Sequence, residues 1–404
     1  MRRRLLLIGM GRVGRPYATA ARRLGLDLAV LDHPTSLAYA KARKFLTEDQ
    51  TAYPVAGTSD AAWFTGASEA LADGPVHGVV AFGEPHVMAA ALICDELALP
   101  GPSLRAATVS RNKALQRRLF ARHGIAQPAS YAPEDREAAA AWAEARYPVI
   151  AKPADGTGSR AVRLIAGEAR LRAWHAEHAD AGPVLIEQCL TGPEYSVECV
   201  VHRGELVFTE PTLKHTTAPP YFVELGHTVP AGLSATERSD VDRLADQVAR
   251  AMGMRDGLMH LEFRMEDTGP HLMEVAVRTP GDHIFEVHEL AHGVNLFEAA
   301  ITVALGDRPD LPARRAGAAG VRFPTALPGR VEGLSGVAAT RRLAAVADLQ
   351  IDVAAGDEVG PIRSSRDRVA TVLLRADDTD GLTSAEKTVA DLLRITTGQE
   401  PPGR

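Results

Sequence analysis

Two stretches decide the reading of this chain: Leu258-Met-His-Leu-Glu-Phe-Arg264 and His271-Leu-Met-Glu-Val-Ala-Val-Arg278. Each reads as a strand, and Glu266-Asp-Thr-Gly-Pro270 reads as the turn that pairs them. Side chains along a strand alternate between faces, so Glu274, Ala276 and Arg278 share one face. On the preceding strand His260, Glu262 and Arg264 do the same. Pairing through the turn brings Glu262 toward Glu274. Acids in otherwise apolar strands need a partner to be tolerated. Two carboxylates facing a triphosphate form a Mg²⁺ site, because Mg²⁺ takes few protein carboxylates and fills its octahedron with phosphate and water. Arg278 on the same face is placed to stabilise charge on a transferring phosphoryl or acyl phosphate group.

Upstream lie residues that complete a phosphate site. Lys113 opens an amphipathic helix, in which Leu115, Leu119 and Phe120 read as the core-facing stripe. Lys152 ends the strand 148–152, which runs into Asp155-Gly156-Thr157-Gly158-Ser159, a loop whose backbone N–H groups can fold over phosphate oxygens. Singly, each lysine is more often a solvated surface residue, and Gly-Thr-Gly-Ser is also an ordinary hairpin tip. Their placement before a helix and before a glycine loop tips the balance toward phosphate. The strand 184–188 ends in Glu187-Gln188, whose backbone can meet a purine edge, and Glu194 can hold ribose hydroxyls. Residues 195–202 and 205–209 pair around Arg203-Gly204. Ser234 and Glu237 have capping-box spacing at the start of a helix to Met252, and 285–305 reads as a further helix. His260, His283 and His288 read as packing or surface residues, and Cys189 and Cys199 as buried strand residues.

The N-terminus carries a competing signal. Gly9-x-Gly11-x-x-Gly14 follows an apolar strand, and Asp32 ends the next strand, as in a dinucleotide fingerprint. Strand–helix alternation makes 1–105 a doubly wound α/β unit. Read alone, this unit predicts an NAD(P)-dependent oxidoreductase; glycines in a tight strand-to-helix turn are the bland alternative. Composition narrows the rest. Lys+Arg 45 against Asp+Glu 51 leaves a net charge of −6 over 404 residues, which disfavours a nucleic-acid partner. Three cysteines without a CxxC make no closed disulfide framework and fit a reducing, cytoplasmic setting. No apolar run reaches the ~18–20 residues of a membrane span, and the basic–apolar opening reads as a strand rather than a leader.

The ordered set Lys113, Lys152, 156–159, Glu187, Glu194, Glu262, Glu274 and Arg278 resembles the ATP-grasp superfamily of carboxylate–amine ligases. The resemblance implies an α/β architecture in three parts. These are a Rossmann-like pre-ATP domain at 1–103, an ATP clamp at 104–312 and a C-terminal α+β lobe at 313–404. The clamp would have a small lobe near 113–190 and a large lobe near 191–312. It implies ATP and Mg²⁺ (with Mn²⁺ able to substitute) as cofactors. Lys113, Lys152, Gly156, Thr157, Gly158 and Ser159 would hold phosphates, with Glu187, Gln188 and Leu190 the adenine hinge and Glu194 the ribose acid. Glu262 and Glu274 would be the metal ligands. The family commonly has Glu-x-Asn-x-Arg where this chain has Glu274-Val-Ala276-Val-Arg278, so Ala276 supplies no ligand. A non-catalytic binding module with a degraded site is the reading that Ala276 would favour.

With Phe222-Val-Glu224-Leu-Gly-His227, the chain is similar to the bacilysin-type L-amino-acid ligases. That resemblance implies ligation of two L-amino acids. Glu224 and His227 would line the amino-acid site, and Arg278 and Lys152 would serve the chemical steps. Asp282 is offered to a substrate ammonium. The partners implied are small molecules, ATP and amino acids, with no membrane and with a homodimer as the candidate assembly. A ligase joining an amino acid to another carboxylate or amine stays open.

Overall fold

A computed structural model of the chain describes residues 2–11, 14–47, 50–132, 136–155, 161–178 and 182–398. The N-terminal strands Arg4–Ile8, Asp27–Asp32, Thr51–Pro54 and Gly78–Ala81 form a parallel sheet, with Arg4–Ile8 between Asp27–Asp32 and Gly78–Ala81. Their apolar runs are continuous because both faces are covered. Leu6, Ile8, Ala29 and Leu31 pack on one side with Trp63 and Ala67 of the helix Asp60–Ala72. Leu5, Leu7, Leu28 and Val30 pack on the other with Tyr17 and Ala18 of Arg15–Arg23. That second face also takes Phe297 and Ile301 from Leu296–Ala304, a helix almost three hundred residues on. The N-terminal unit is thereby locked to the rest of the chain.

The glycine turn is self-contained. Asp32 accepts hydrogen bonds from the N–H groups of Met10 and Gly11, both at 2.7 Å, and from His33 N–H at 2.6 Å. Gly9 has φ +75°, and a Cβ there would lie 1.9 Å from the His86 ring. The carboxylate that would take a ribose is thus occupied by the turn, and a histidine covers its first glycine.

Beyond this unit the described residues form three antiparallel sheets. A small one runs in the order Ser130–Tyr131, Val184–Gln188, Val149–Pro153, Arg163–Ile165. The helices Arg136–Glu144 and Glu168–Glu177 contribute Ala139, Leu171 and Trp174 to its core. The large sheet has eight strands, in the order Gly269–Ala276, Gly257–Glu266, Glu194–His202, Glu205–Thr216, Glu224–Val229, Ala318–Arg322, Ala370–Ala376, Val346–Ile351. Its last three strands come from beyond residue 313, so the C-terminal residues continue the sheet. A three-stranded sheet of Glu358–Val359, Gly329–Ser335 and Arg394–Gly398 completes that end.

The helix Ala235–Met252 backs the large sheet. It begins with the expected capping box: Ser234 Oγ accepts from Glu237 N–H, and Glu237 accepts from Ser234 N–H at 2.7 Å. The segment read as one helix at 285–305 is two, Ile284–His292 and Leu296–Ala304. Gly293 closes the first in a left-handed conformation at φ +71°, and Asn295 caps the second by accepting from Glu298 N–H. No helix among the described residues is long and apolar enough to cross a membrane.

Candidate active site

A cleft of about 310 Å³ opens between the small sheet and the large one. Lys113, Lys152, Glu187, Gln188, Leu190, Glu194, Glu224, His227, Glu262, Glu274 and Arg278 all line it. Gly156, Thr157, Gly158 and Ser159 lie outside the described residues.

The helix Lys113–Arg122 forms one wall. Asn112 caps it, accepting from Leu115 N–H at 3.0 Å. Its buried stripe is Lys113, Gln116, Arg117 and Phe120, whereas Leu115, expected in the core, is 37% exposed. The stripe is polar because it faces an open sheet edge. Gln116 donates to Val275 C=O and accepts from Val275 N–H, each at 2.9 Å, supplying the edge strand with the pairing it lacks. Arg117 donates to Met273 C=O and pairs with Glu187 at 2.5 Å. Lys113 reaches Glu274 at 3.0 Å.

Glu187 is fully enclosed between Arg117 and Lys152, the latter also at 2.5 Å. Burial pushes the Lys152 pKa down, Glu187 pulls it back, and Arg117 and Lys113 push it down further; the net shift is downward. Burial alone would raise the Glu187 carboxyl, but the two cations beside it hold it below the usual range. The Glu187 side chain therefore faces inward. Only its backbone and that of the next residues can meet a purine, and Gln188 already donates its N–H to Ala129 C=O. Cys189, expected within a strand, lies just past Val184–Gln188, half-exposed and on the cleft wall.

Glu262 and Glu274 are direct partners on their paired strands. The centre of the cleft is organised by a residue that the sequence reading missed. Lys214, buried on the strand Glu205–Thr216, lies 2.7 Å from Glu194, 2.9 Å from Glu262 and 3.7 Å from Glu224. Burial disfavours its charge, yet the three carboxylates hold its pKa well above the ordinary lysine value. Its signal was the polar alternation Glu210, Thr212, Lys214 within a strand; all three are buried. Glu194 is also held by Arg264 at 2.7 Å.

His260 is no packing or surface histidine. It sits between Glu198 at 2.8 Å and Glu262 at 3.3 Å. Burial opposes its charge, but the two acids push its pKa up to about 9. It stands directly across from Ala276, the position without a metal ligand. Glu262 is held well below the usual carboxylate range: burial would raise it, and Lys214 and His260 more than offset that. Two carboxylates side by side fit a divalent cation whose remaining positions go to phosphate and water. Among the described residues no group of three acidic, histidine or cysteine side chains forms a closed metal cage.

At the far end Arg278 pairs with Glu84 of the N-terminal unit at 3.0 Å. Thr279, next to it, is hydrogen-bonded to the buried Tyr17 hydroxyl at 2.6 Å. His227 Nε2 lies 3.4 Å from Asp282, and Glu224 accepts from Ser365 Oγ at 3.1 Å. Asp282 is not open to an ammonium as expected, because Arg368 clamps it with two hydrogen bonds at 2.7 and 2.9 Å. Arg368 and Ser365 come from the C-terminal residues and had no local sequence signature.

A sheet-bounded cleft with paired lysines at one end, facing carboxylates at its centre and an arginine at the other is the architecture of an ATP-dependent ligase. Three family profiles match in chain order: the ATP-grasp N-terminal domain over 18–101, the ATP-grasp domain over 145–286 and the L-amino acid ligase C-terminal domain 2 over 322–398. The chain belongs to the ATP-grasp carboxylate–amine ligases, enzymes that form C–N bonds at the expense of ATP.

It is 29% identical over 386 residues to the uncharacterised protein y4rH of Sinorhizobium fredii, covering 92% of this chain and 78% of that one. It is 28% identical over 339 residues to carnosine synthase 1 of Gallus gallus; the match takes in 77% of this chain but spans only 36% of the carnosine synthase. Among solved structures, L-amino acid ligase from Bacillus licheniformis superposes with a TM-score of 0.84 at 18% identity, covering 98% of this chain and 99% of that one.

Proposed function

We propose that the enzyme joins the carboxylate of one L-amino acid to the amine of a second, with ATP converted to ADP and phosphate through an acyl phosphate. The observation that carries this reading is the division of the one cleft. Lys113 and Lys152 occupy one end, Arg278, Glu224 and His227 the other, and Glu262 with Glu274 lies between.

Lys113, Lys152 and the loop 156–159 hold the phosphates, and residues 187–190 with Glu194 take adenine and ribose. Glu262 and Glu274 would hold Mg²⁺, which would supply charge neutralisation on the phosphoryl oxygens. A carboxylate oxygen of the first amino acid attacks the γ-phosphorus in line, and the bond from that phosphorus to the β–γ bridging oxygen breaks, releasing ADP. Lys152 and Arg278 stabilise the charge that develops. Phosphorylation is required because an amine cannot displace oxide from a carboxylate. The free amine of the second amino acid then attacks the acyl carbon, phosphate departs as the acyl C–O bond breaks, and the nitrogen loses a proton. Glu224 and His227 line this amino-acid end and orient the reactants.

The test is a coupled assay over a panel of amino-acid pairs, with mass analysis of the product. ADP rather than AMP should appear, only when amino acids are present, together with a dipeptide mass. Absence of amino-acid-dependent ADP from folded enzyme across the panel sinks this reading.

A further inference from the structure

We propose that Arg368 is a positioning residue of the amino-acid site, through which the C-terminal residues set the geometry of Glu224, His227 and Asp282. This inference rests on the amino-acid ligase reading above.

Arg368 comes from a loop more than 140 residues beyond Glu224, and its side chain is 8% exposed. Its guanidinium lies 3.8 Å from the centre of the Phe323 ring, which fixes the plane of the fork. Nη1 donates to Asp282 Oδ1 at 2.7 Å and Nη2 to Asp282 Oδ2 at 2.9 Å, a two-pronged match of fork to carboxylate. Nη2 also reaches Glu224 Oε2 at 3.2 Å, and Nε donates to Glu224 C=O at 3.0 Å. One planar group thus orients two acids and one backbone carbonyl. Asp282 in turn holds His227 Nε2 at 3.4 Å.

Two further features make this more than a surface ion pair. First, Glu224, His227, Asp282 and Ser365 all line the cleft, so whatever fixes them fixes the shape of the cavity wall. Second, Asp282 and His283 are consecutive non-glycine residues in the left-handed region, at φ +56° and +61°. Such a turn is strained at non-glycine residues and persists only where its surroundings over-determine it. Arg368 and His227 hold the Asp282 side chain, and Glu286 holds His283 Nδ1 at 3.1 Å. The same turn begins four residues after Arg278, so its position also bears on where that guanidinium points.

Among the described residues, the hydrogen bonds of the Arg368 side chain go to Glu224 and Asp282, at the amino-acid end. Loss of the fork should therefore act on the amino acid and leave the nucleotide alone. Lysine carries the same charge but cannot form the fork or the stack. A role limited to charge balance is met by lysine; a positioning role is not.

The experiment measures initial rates of ADP release with amino acid varied at saturating MgATP, and with MgATP varied at saturating amino acid. The enzymes are wild type, Arg368→Lys, Asp282→Asn and, as an exposed control on the same loop, Arg366→Ala. Arg368→Lys should raise the amino-acid KM about tenfold or more while the ATP KM stays within about twofold. Asp282→Asn, which reaches the same fork from its acceptor side, should show the same split. Arg366→Ala should change neither constant. A wild-type amino-acid KM in Arg368→Lys overturns the proposal, as does an equal rise of both constants. Wild-type enzyme that releases no ADP with any amino acid fails the functional reading itself, before any variant is compared, and this inference falls with it.

Discussion

Glu262 and Glu274 are direct cross-strand partners, yet each carboxylate is held by a different cation: Glu262 by Lys214 at 2.9 Å and Glu274 by Lys113 at 3.0 Å. The two strands fix the spacing of the acids, and each acid has its own lysine partner rather than sharing one. Removing either acid should abolish the site for a divalent cation while sparing the sheet, since neither side chain belongs to the apolar core. Glu274→Ala and Glu262→Ala should lower turnover by about 10²–10³-fold. Arg278→Ala should do the same with melting behaviour close to wild type. The check is ADP release alongside circular dichroism. Chelation should silence the wild type, and Mg²⁺ or Mn²⁺ should restore it.

Lys214 neutralises three acids from inside the protein. Lys214→Met retains the volume but leaves Glu194, Glu224 and Glu262 without their shared cation. Breaking one member of a buried ionic cluster costs about 3–5 kcal/mol. The variant should melt well below wild type and regain part of the loss at low pH, where the acids can protonate. Thermal denaturation at pH 7.5 and pH 5 reads both effects. A melting temperature equal to wild type at both values would contradict this role for Lys214.

His260 gives the protein a definable pH dependence. Its folded pKa of about 9 is raised above the ordinary 6.5, so its contribution is fully present below about pH 6.5. It is lost as pH rises through about 9. At about 1.4 kcal/mol per unit, the total is roughly 3 kcal/mol at most. The urea midpoint of the wild type should fall between pH 7 and pH 10. In His260→Gln the midpoint should start lower and lose that slope.

The Asp32–glycine turn separates nucleotide chemistries. Asp32 accepts from the Met10, Gly11 and His33 N–H groups and His86 lies over Gly9, so among the described residues the acid and the first glycine of the fingerprint are already engaged. Saturating MgATP should raise the melting temperature, since a ligand at about 100-fold its Kd adds about 2.7 kcal/mol. NAD⁺ and NADP⁺ at the same concentration should leave it unchanged. Protection by a nicotinamide cofactor alone would reinstate the oxidoreductase reading.

Much of the architecture was legible because strand periodicity is local. The pairing of 257–266 with 269–276, and the approach of Glu262 to Glu274, followed from alternation and one turn. The capping box at Ser234 followed from a three-residue spacing. The site was less legible where it is assembled over distance. Ser365 lines the cleft, and Arg368 and Glu84 hold residues that line it, all from segments far apart in the chain, and nothing beside them in sequence marks them. On the helix Lys113–Arg122 the apolar stripe misled, because the buried face of that helix meets a sheet edge and needs polar groups. Gln116 and Arg117 at three- and four-residue spacing from Lys113 were the missed clue. The split of the helical segment at Gly293 and Asn295 was written in the sequence as a stop and a start.

The cleft serves as its own electrolyte. Lys113 rests on Glu274, Lys152 on Glu187, Lys214 on Glu262 and Arg278 on Glu84. On the proposed reading, nucleotide entry would be a double exchange of counter-ions: phosphates would draw Lys113 and Lys152 from their acids, and Glu262 and Glu274 would be left to hold a divalent ion. Bare nucleotide would strand carboxylates, and bare metal would strand ammonium groups. Glu187 has Arg117 beside it as well as Lys152, so it would keep a cation if Lys152 went to phosphate. Ion pairs that the folded chain has already formed would thus make nucleotide and metal mutually dependent.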